Sequence, residues 1–262
     1  MRVLQSLLLG LQTKGLLILG LGRLGIEVCE DASPLFRSVM GTTRREDLTL
    51  PKNARCIPFH NVVTDMDLSS VSHTIVPIQA PREEDDPNIR DFDKIVAELP
   101  EDSWIGLIST TSVYRETDGG WVSEDSLTKE DSPYVYYESY WKKAPQSLTI
   151  FRCSGIYGPG RSALHTLYNK GYRPGGKIAN RIHSYDIVQA MLASMLKKTE
   201  NIFNLSDDFP ASRQAVFEYG RELLEGEEVE ISRSTLSARS RNQGSKRVRN
   251  TLMKSVLLPY LQ

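Results

Sequence analysis

Short apolar runs recur along the chain and are separated by longer polar segments. Seven runs of four to six residues are typical of strands buried on both faces, and they cover residues 16–19, 37–41, 56–59, 73–78, 104–109, 148–152 and 202–205. Helices fit between them: one follows Gly22, another covers residues 91–99, and residues 210–226 place apolar side chains at helical spacing. Residues 82–86 and 244–249 are charged or polar, and we expect loops there. Strands that alternate with helices predict an α/β fold with a doubly wound parallel sheet, a Rossmann fold.

The length of 262 residues allows one sizeable core. We expect residues 1–262 to form a single domain, in which residues of about 155–180 and 205–262 form a small C-terminal lobe on the substrate side. The apolar start of the chain, residues 3–11, is too short to span a bilayer. We therefore expect a soluble cytoplasmic protein, and import into an organelle such as a plastid stays open.

The strongest local motif is a glycine turn that directly follows the first apolar run and opens a helix. It reads Gly20-Leu21-Gly22-Arg23-Leu24-Gly25. The first glycine permits a tight turn, the second lets the backbone approach a diphosphate, and the third lets the helix pack closely on the strand. We expect Gly20, Gly22, Arg23, Leu24 and Gly25 to bind a dinucleotide cofactor. The alternative is a plain glycine turn without a ligand.

Two arginines stand where the second predicted strand ends. A site that prefers NAD would place an acidic residue there to bind the ribose 2′-hydroxyl, whereas this chain has Thr43, Arg44 and Arg45. Guanidinium groups form charge-assisted, often bidentate bonds to a 2′-phosphate, so the sequence favours NADP over NAD. The alternative is a solvated loop in which Glu46 and Asp47 pair with the two arginines.

Composition limits the partners. The net charge is −1 and charged residues make up 25% of the chain, so nothing overall favours nucleic acid or an acidic membrane. The C-terminal part is locally basic, with Arg233, Arg239, Arg241, Lys246, Arg247 and Arg249, and a solvated surface is the favoured interpretation. The three cysteines and four histidines lack the spacing of metal ligands, so we expect no metal and reduced, mostly buried thiols. The expected partner is a small-molecule substrate.

Four further motifs follow one another along most of the chain: Ser109-Thr110-Thr111-Ser112-Val113-Tyr114, Arg152-Cys153-Ser154-Gly155-Ile156-Tyr157-Gly158-Pro159-Gly160-Arg161, Arg181-Ile182-His183-Ser184-Tyr185-Asp186-Ile187-Val188 and Asn201-Ile202-Phe203-Asn204-Leu205. In sequence and in order they resemble the motifs of the extended and atypical short-chain dehydrogenase/reductase family, which includes the NAD-dependent epimerases and dehydratases. They are most similar to its YeeZ-like NAD(P)-binding branch. The resemblance implies that Thr110 holds the substrate oxygen, that Tyr136 takes the position of the acid/base tyrosine, and that Ala80 and Pro81 line the cofactor ribose. It also implies that His183 and Asp186 are structural, with the aspartate capping the following helix.

The chain departs from the family pattern at the acid/base pair. Active members carry Tyr-x-x-x-Lys on a helix, where the ammonium group lowers the pKa of the tyrosine. Here Tyr140 stands four residues after Tyr136, and Lys143 lies one turn too far along. The two helices through which family members dimerise are also short, which predicts a monomer or a weak homodimer. A third departure is Arg115, where glycine commonly follows the Val-Tyr pair.

Two functions remain open at this point. The first is an NAD(P)-dependent oxidoreductase, epimerase or dehydratase that acts on a carbonyl or nucleotide-sugar-like substrate held between Thr110 and residues 157–161. The second is a non-catalytic NADP(H)-binding sensor or scaffold that lacks the acid/base pair. A chain too shortened to bind any ligand is the third interpretation.

Overall fold

A computed structural model describes residues 10–45, 47–78, 87–170, 177–224 and 245–257. The strands are β1 Gly15–Ile18, β2 Ser38–Thr42, β3 Ala54–Ile57, β4 Val71–Val76, β5 Trp104–Thr110, β6 Asp118–Val122, β7 Ser147–Cys153, β8 Gly155–Tyr157, β9 Ile178–Ala179, β10 Arg181–His183, β11 Ile202–Leu205, β12 Ala211–Ser212 and β13 Ser245–Val248. The helices are α1 Arg23–Ala32, α2 Val62–Asp65, α3 Pro87–Glu98, α4 Pro133–Trp141, α5 Ala163–Lys170, α6 Ser184–Lys197, α7 Arg213–Leu224 and α8 Thr251–Leu257.

Seven strands form one parallel sheet in the order β3-β2-β1-β4-β5-β7-β11. Every neighbouring pair in this sheet runs parallel. The strand order reverses between β1 and β4, since the chain moves outward from β1 to β3 and then returns to the other side of β1. This arrangement confirms the predicted doubly wound α/β fold, and its switch point is where such sheets form a ligand crevice.

The core has two layers, one on each face of the sheet. In β1, Leu16 and Ile18 join a cluster with α1 and α6, whereas Leu17 joins a second cluster with α3 and α4. Successive side chains of a strand point to opposite faces, so a strand covered on both sides must be apolar throughout. Each residue of β1 is accordingly buried, which explains why its sequence is a continuous apolar run rather than an alternating one.

The seven predicted strands are all present, with ends that differ by up to two residues. Only residues 202–205 match without any shift, as β11. The helix predicted at 91–99 begins earlier, at Pro87. The helix predicted at 210–226 is observed at Arg213–Leu224, and the last two residues of the prediction, 225 and 226, lie outside the described residues.

The loop predicted at 244–249 is wrong for residues 245–248, which form β13. This strand pairs in parallel with β6, which the sequence analysis did not identify either. Both segments are poor in apolar residues, so they carry no strand signal of their own, and pairing with a distant part of the chain makes them strands. The Arg247 guanidinium also donates to the carbonyl of Gly119 in β6. The loop expected at 82–86 lies outside the described residues.

The smaller elements sit beyond the carboxyl ends of β7 and β11. There β8 pairs with β10, and β9 pairs with β12. The helices α5 and α7 pack closely, because a Cβ atom at Gly220 would lie 2.8 Å from Leu167. None of the helices that can be described is long and apolar enough to cross a membrane.

Candidate functional site

The glycine turn joins β1 to α1, as the sequence predicts. Gly20 has a φ of +125°, a conformation that side-chain-bearing residues rarely adopt. A Cβ atom at Gly25 would lie 2.0 Å from the carbonyl oxygen of Gly20, so the third glycine is required for the turn to close on itself. The turn is anchored to the neighbouring strand, because the backbone N–H of Leu21 donates to Thr42 at 2.6 Å.

Gly22 differs from the other two glycines of the turn. A Cβ atom there would meet no described atom within 4 Å. Gly22 is also the N-cap of α1, where no side chain caps the helix and the first turn contains no acidic residue. A helix N-terminus exposes backbone N–H groups and a partial positive charge, which suit an anion. The Arg23 side chain is directed along the helix towards Glu27, at 3.4 Å, and Leu24 packs against the core.

The segment after β2 lies beside this turn, since β1 and β2 pair directly. The hydroxyl of Thr43 accepts a hydrogen bond from the backbone N–H of Arg45 at 3.0 Å. The Arg45 guanidinium lies 3.5 Å from the carboxylate of Asp47, and both side chains are exposed. Arg44 is exposed and forms no ion pair with any residue that the structure describes. The pairing expected in a solvated loop thus holds for Arg45 with Asp47. The pairing expected for Glu46 stays a prediction, because Glu46 lies outside the described residues.

The segment that follows β4 lies on the other side of β1 from β2. A Cβ atom at Gly20 would lie 2.8 Å from the side chain of Ile78, so the glycine turn packs against the segment that follows β4. Ala80 and Pro81, predicted to line the cofactor ribose, fall outside the described residues and stay a prediction.

Thr110 is the last residue of β5 and lies at the same carboxyl edge of the sheet. Its side-chain oxygen accepts from the backbone N–H of Ser112 at 3.1 Å and caps a short 3-10 helix, Thr111–Val113. This bond occupies an acceptor position of the hydroxyl and leaves its proton available to another group. Thr110 therefore ends a strand and is also placed to donate to a ligand.

Helix α4 presents a row of tyrosines with different surroundings. Tyr136 is 37% exposed, and no described hydrogen bond joins it to Thr110. Tyr140, at the position of the family lysine, donates its phenol to Asp93 of α3 at 2.7 Å, and burial together with that carboxylate raises its pKa. The helix ends at Trp141, so Lys142 and Lys143 lie beyond it. No lysine therefore follows Tyr136 on this helix, and its role as an acid stays a prediction.

A buried ion pair, which sequence reasoning did not identify, lies behind this region. The Arg152 guanidinium contacts Glu138 of α4 through two bonds, at 3.0 and 2.7 Å, and the two side chains are 5% and 2% exposed. Burial alone would lower the pKa of Arg152, but its bonds to Glu138 raise that pKa overall. Ser109 of β5 donates to the same carboxylate at 2.6 Å. Glu138 and Arg152 lie 14 residues apart along the chain, so no local spacing in the sequence signalled this pair.

The pair continues into a polar chain across the sheet. Arg152 donates to the phenol oxygen of Tyr114 at 3.1 Å, and that phenol donates to Asn204 of β11 at 2.6 Å. Asn204 in turn donates to the carbonyl of Arg249, just after β13. Burial raises the pKa of Tyr114 and keeps it a neutral donor. Through these hydrogen bonds, the motif residues Tyr114, Arg152 and Asn204 connect the end of β5 with β7, β11 and the C-terminal segment.

The histidine of the third motif caps a helix. His183 is the N-cap of α6, and its Nδ1 atom accepts from the backbone N–H of Tyr185 at 3.1 Å. The expectation that Asp186 caps this helix is wrong, because Asp186 lies inside the first turn. His183 can cap the helix because it immediately precedes the first helical residue and because an unprotonated ring nitrogen can accept a backbone N–H.

The thiols differ from one another in exposure. Cys29 and Cys153 are buried as expected, and burial raises the pKa of Cys153 to about 12. A thiol with that pKa is not a nucleophile at neutral pH. Cys56 is exposed, because β3 is an edge strand, so two of the three thiols are buried, in agreement with the expectation of mostly buried thiols.

No protein-family profile matches this sequence, and no curated protein matches it. Solved structures share its fold. A conserved protein of unknown function from Silicibacter pomeroyi superposes with a TM-score of 0.77 at 27% identity, over 94% of this chain and 92% of that chain. WbmG from Bordetella bronchiseptica, solved with NAD, gives a TM-score of 0.72 at 15% identity, over 93% and 87% of the two chains.

A third similar structure is UDP-glucuronic acid 4-epimerase from Bacillus cereus, solved with UDP-glucuronic acid and NAD. It gives a TM-score of 0.70 at 18% identity and covers 93% of each chain. Each of these three likenesses covers 93% or 94% of this chain. The chain therefore has the Rossmann fold of the NAD-dependent epimerases and dehydratases, the proteins that its motifs resemble.

Proposed function

We infer that this protein binds a nicotinamide dinucleotide at the carboxyl edge of its sheet, with the diphosphate against residues 20–25. One observation carries the proposal. A side chain at Gly20 or Gly25 would collide with the protein itself, whereas a Cβ atom at Gly22 would meet no described atom, which leaves space there for a ligand. The uncapped N-terminus of α1 lies at the same point and suits a diphosphate. Similar structures with this fold were solved with NAD, which supports the same assignment.

The preferred form is NADP(H). Arg44 follows β2, next to the glycine turn, and is exposed without a carboxylate partner among the described side chains. An unpaired guanidinium at this position can bind a 2′-phosphate, while the hydroxyl of Thr43 orders the local backbone. Arg45 contributes less in this proposal, because Asp47 partly neutralises it.

In the enzymatic form of this proposal, the protein is an oxidoreductase, epimerase or dehydratase on a carbonyl or nucleotide-sugar-like substrate. The bound nicotinamide would supply hydride transfer. Thr110 would donate a hydrogen bond from its hydroxyl to the substrate oxygen and so hold that oxygen at the carboxyl edge of the sheet. Tyr136 would act as the acid, and its exposure gives it access to a substrate.

A second candidate is binding without turnover, as a sensor or scaffold, and the contact between Tyr140 and Asp93 favours it. That contact fills the position of the family lysine with a phenol that is turned towards α3. The helix that carries Tyr136 ends at Trp141, before Lys142, so it does not supply the ammonium group that activates the tyrosine in active family members.

Calorimetric titration with NADPH and NADH tests both parts of the proposal. We expect NADPH to bind more tightly, and Arg44→Glu to weaken NADPH at least tenfold while leaving NADH nearly unchanged. Arg37→Glu makes the same charge change on an exposed arginine at the amino end of β2 and is the control. Equal affinity for the two nucleotides would refute the role of Arg44, and binding of neither would refute the cofactor assignment.

Turnover then separates the two candidates. Nicotinamide absorbance is followed with a panel of carbonyl compounds and UDP-sugars, using the parent protein, Thr110→Val and Tyr136→Phe. Turnover that falls in both variants, with NADPH affinity retained, supports the enzyme. NADPH binding with no turnover of any substrate supports the sensor or scaffold.

A further inference from the structure

An open groove runs along the last two strands of the sheet, on the side of α3 and α4. Its floor is formed by Leu148 and Ile150 of β7 and Ile202 of β11, which belong to the cluster that packs under those two helices. Helix α8 covers β11 from the opposite side, because Val256 and Leu257 belong to the cluster of α1 and α6. Among the described elements, part of this apolar floor is therefore left open. We call this groove, with its floor of Leu148, Ile150 and Ile202, the edge groove.

The edge groove has the size of a small-molecule site. Its volume is about 520 Å³, within the range of about 300–1,000 Å³ that is typical of ligand pockets. None of its described lining residues belongs to the glycine turn, to the segment after β2 or to the pair of Thr110 and Tyr136. A ligand in the edge groove would therefore be separate from a dinucleotide in the crevice.

Carboxylates stand at both ends of the edge groove. At the amino end of β11, Glu200 accepts a hydrogen bond from the hydroxyl of Ser147 at 2.7 Å. At the other end, Glu124 accepts from the backbone N–H of Asn204 at 2.9 Å, and Asp125 follows it. A strand rises about 3.3 Å per residue, so the four residues from 200 to 204 separate the two ends by about 13 Å.

The negative charge of the edge groove is only partly balanced. No described cation forms an ion pair with Glu124, Asp125 or Glu200. Among the described residues that line the groove, Lys142 is the single cation, and its side chain is exposed. Three carboxylates against one ammonium group leave two negative charges. A ligand with two positive charges would balance them.

A buried amide adds to this negative character. Gln146 lines the edge groove and is 4% exposed. Its Nε2 atom donates to the carbonyls of Val96 and Leu99 at 3.1 and 3.3 Å, and neither of these residues lines the groove. The nitrogen is thus turned towards α3, which leaves Oε1 on the side of the groove. This oxygen is buried and has no hydrogen-bond partner among the described residues, so a nearby positive charge would offset its lost solvation.

We propose that the edge groove binds an organic dication with an aliphatic chain, such as a diamine or polyamine. The chain would lie on Leu148, Ile150 and Ile202, and its two ammonium groups would reach Glu200 at one end and Glu124 with Asp125 at the other. This combination of two separated charges and an apolar centre matches the order of carboxylates and apolar side chains along the groove. The site goes beyond nicotinamide binding, because it gives the protein a second ligand of opposite charge.

Calorimetric titration with octamethylenediamine tests the proposal. We expect Glu200→Gln and Glu124→Gln each to weaken the diamine at least tenfold, since each removes a charge at one end while the amide oxygen can still accept the same hydrogen bond. Glu30→Gln removes an exposed carboxylate from α1, on the opposite face of the sheet, and should leave the affinity unchanged. Glu200 is exposed, so its variant stays informative if Glu124→Gln does not fold.

A series of smaller cations tests the shape of the site. Octylamine carries one charge, putrescine has a shorter chain, and Mg²⁺ has two charges without an apolar body, so we expect each to bind the parent protein at least tenfold more weakly. The proposal is refuted if the diamine does not bind, or if Mg²⁺ binds equally well. It is also refuted if Glu30→Gln weakens the diamine as much as the two groove variants do, or if neither groove variant weakens it.

Discussion

Gly22 and Gly25 are glycines of the same turn that serve different physical ends. Alanine at Gly25 would place its Cβ atom 2.0 Å from the carbonyl oxygen of Gly20, and a backbone atom cannot yield cheaply. Alanine at Gly22 would meet open space, and its φ of −74° is ordinary for any residue. One glycine therefore serves the fold, and the other leaves room for a ligand.

The two alanine variants should behave differently. We expect Gly25→Ala to destabilise the protein by roughly 1–3 kcal/mol, as overpacking does. We expect Gly22→Ala to keep the melting temperature of the parent and to weaken NADPH at least tenfold. Thermal melts and calorimetry measure both effects. Unchanged NADPH affinity in Gly22→Ala would contradict the placement of the diphosphate.

His73 is a buried neutral histidine that makes folding sensitive to pH. Its Nε2 atom donates to the carbonyl of Met195 at 3.0 Å, and its Nδ1 atom lies 2.8 Å from the hydroxyl of Ser72. Burial lowers its pKa from 6.5 to about 4. Between these two pH values His73 is protonated in the unfolded chain but neutral in the folded protein. The free energy of unfolding therefore decreases as the pH falls from 6.5 towards 4.

This linkage predicts a specific loss of stability in weak acid. Relative to pH 7, the contribution of His73 to the free energy of unfolding should fall by about 2 kcal/mol at pH 5. His73→Gln keeps an N–H donor for Met195 but does not titrate. Urea unfolding at both pH values should show a smaller fall in this variant, and an equal fall in both proteins would contradict the prediction.

At the scale of elements, α4 is held to the sheet by the buried pair of Glu138 and Arg152. A second pair, Arg115 with Glu130, joins side chains that are 58% and 93% exposed, at 3.3 Å. Removing one partner of a buried pair leaves an uncompensated charge, whereas exposed pairs are screened by water. The same chemical interaction therefore has different consequences in these two places.

The matched variants are Arg152→Met and Arg115→Met. We expect the first to cost about 3–5 kcal/mol of folding free energy and the second less than about 1 kcal/mol. Arg152→Met with Glu138→Leu should recover much of the loss, since no lone charge stays buried. Denaturant unfolding measures the stability of all three variants. Similar losses of folding free energy in the two single variants would show that Arg152 is not needed to compensate the buried charge of Glu138.

At the scale of the whole molecule, the outer surface of α3 and α4 bears on assembly. The exposed positions of α3 include Asp93, Lys94 and Glu98, and Lys142 and Lys143 follow α4. The cores of stable interfaces are apolar and poor in such charged residues. We therefore expect a monomer, with at most weak dimerisation through this surface.

Sedimentation velocity at micromolar concentration, with and without NADPH, tests this expectation. The sedimentation coefficient should correspond to one chain of 29.5 kDa. Lys94→Glu, which alters the charge of the outer surface of α3, should leave it unchanged. A concentration-independent dimer would contradict the prediction and would indicate another interface.

The sequence by itself determined the seven strands of the main sheet, the glycine turn and three of the helices, Arg23–Ala32, Pro87–Glu98 and Arg213–Leu224. Those features follow from local rules: continuous apolar runs bury both faces of a parallel strand, and only glycine fits the turn at Gly20 and Gly25. Tertiary structure alone decided the pairing of β6 with β13 and the ion pair of Glu138 with Arg152. Each of these joins residues that are distant along the chain or depends on strand register, so no local pattern of residues could specify it.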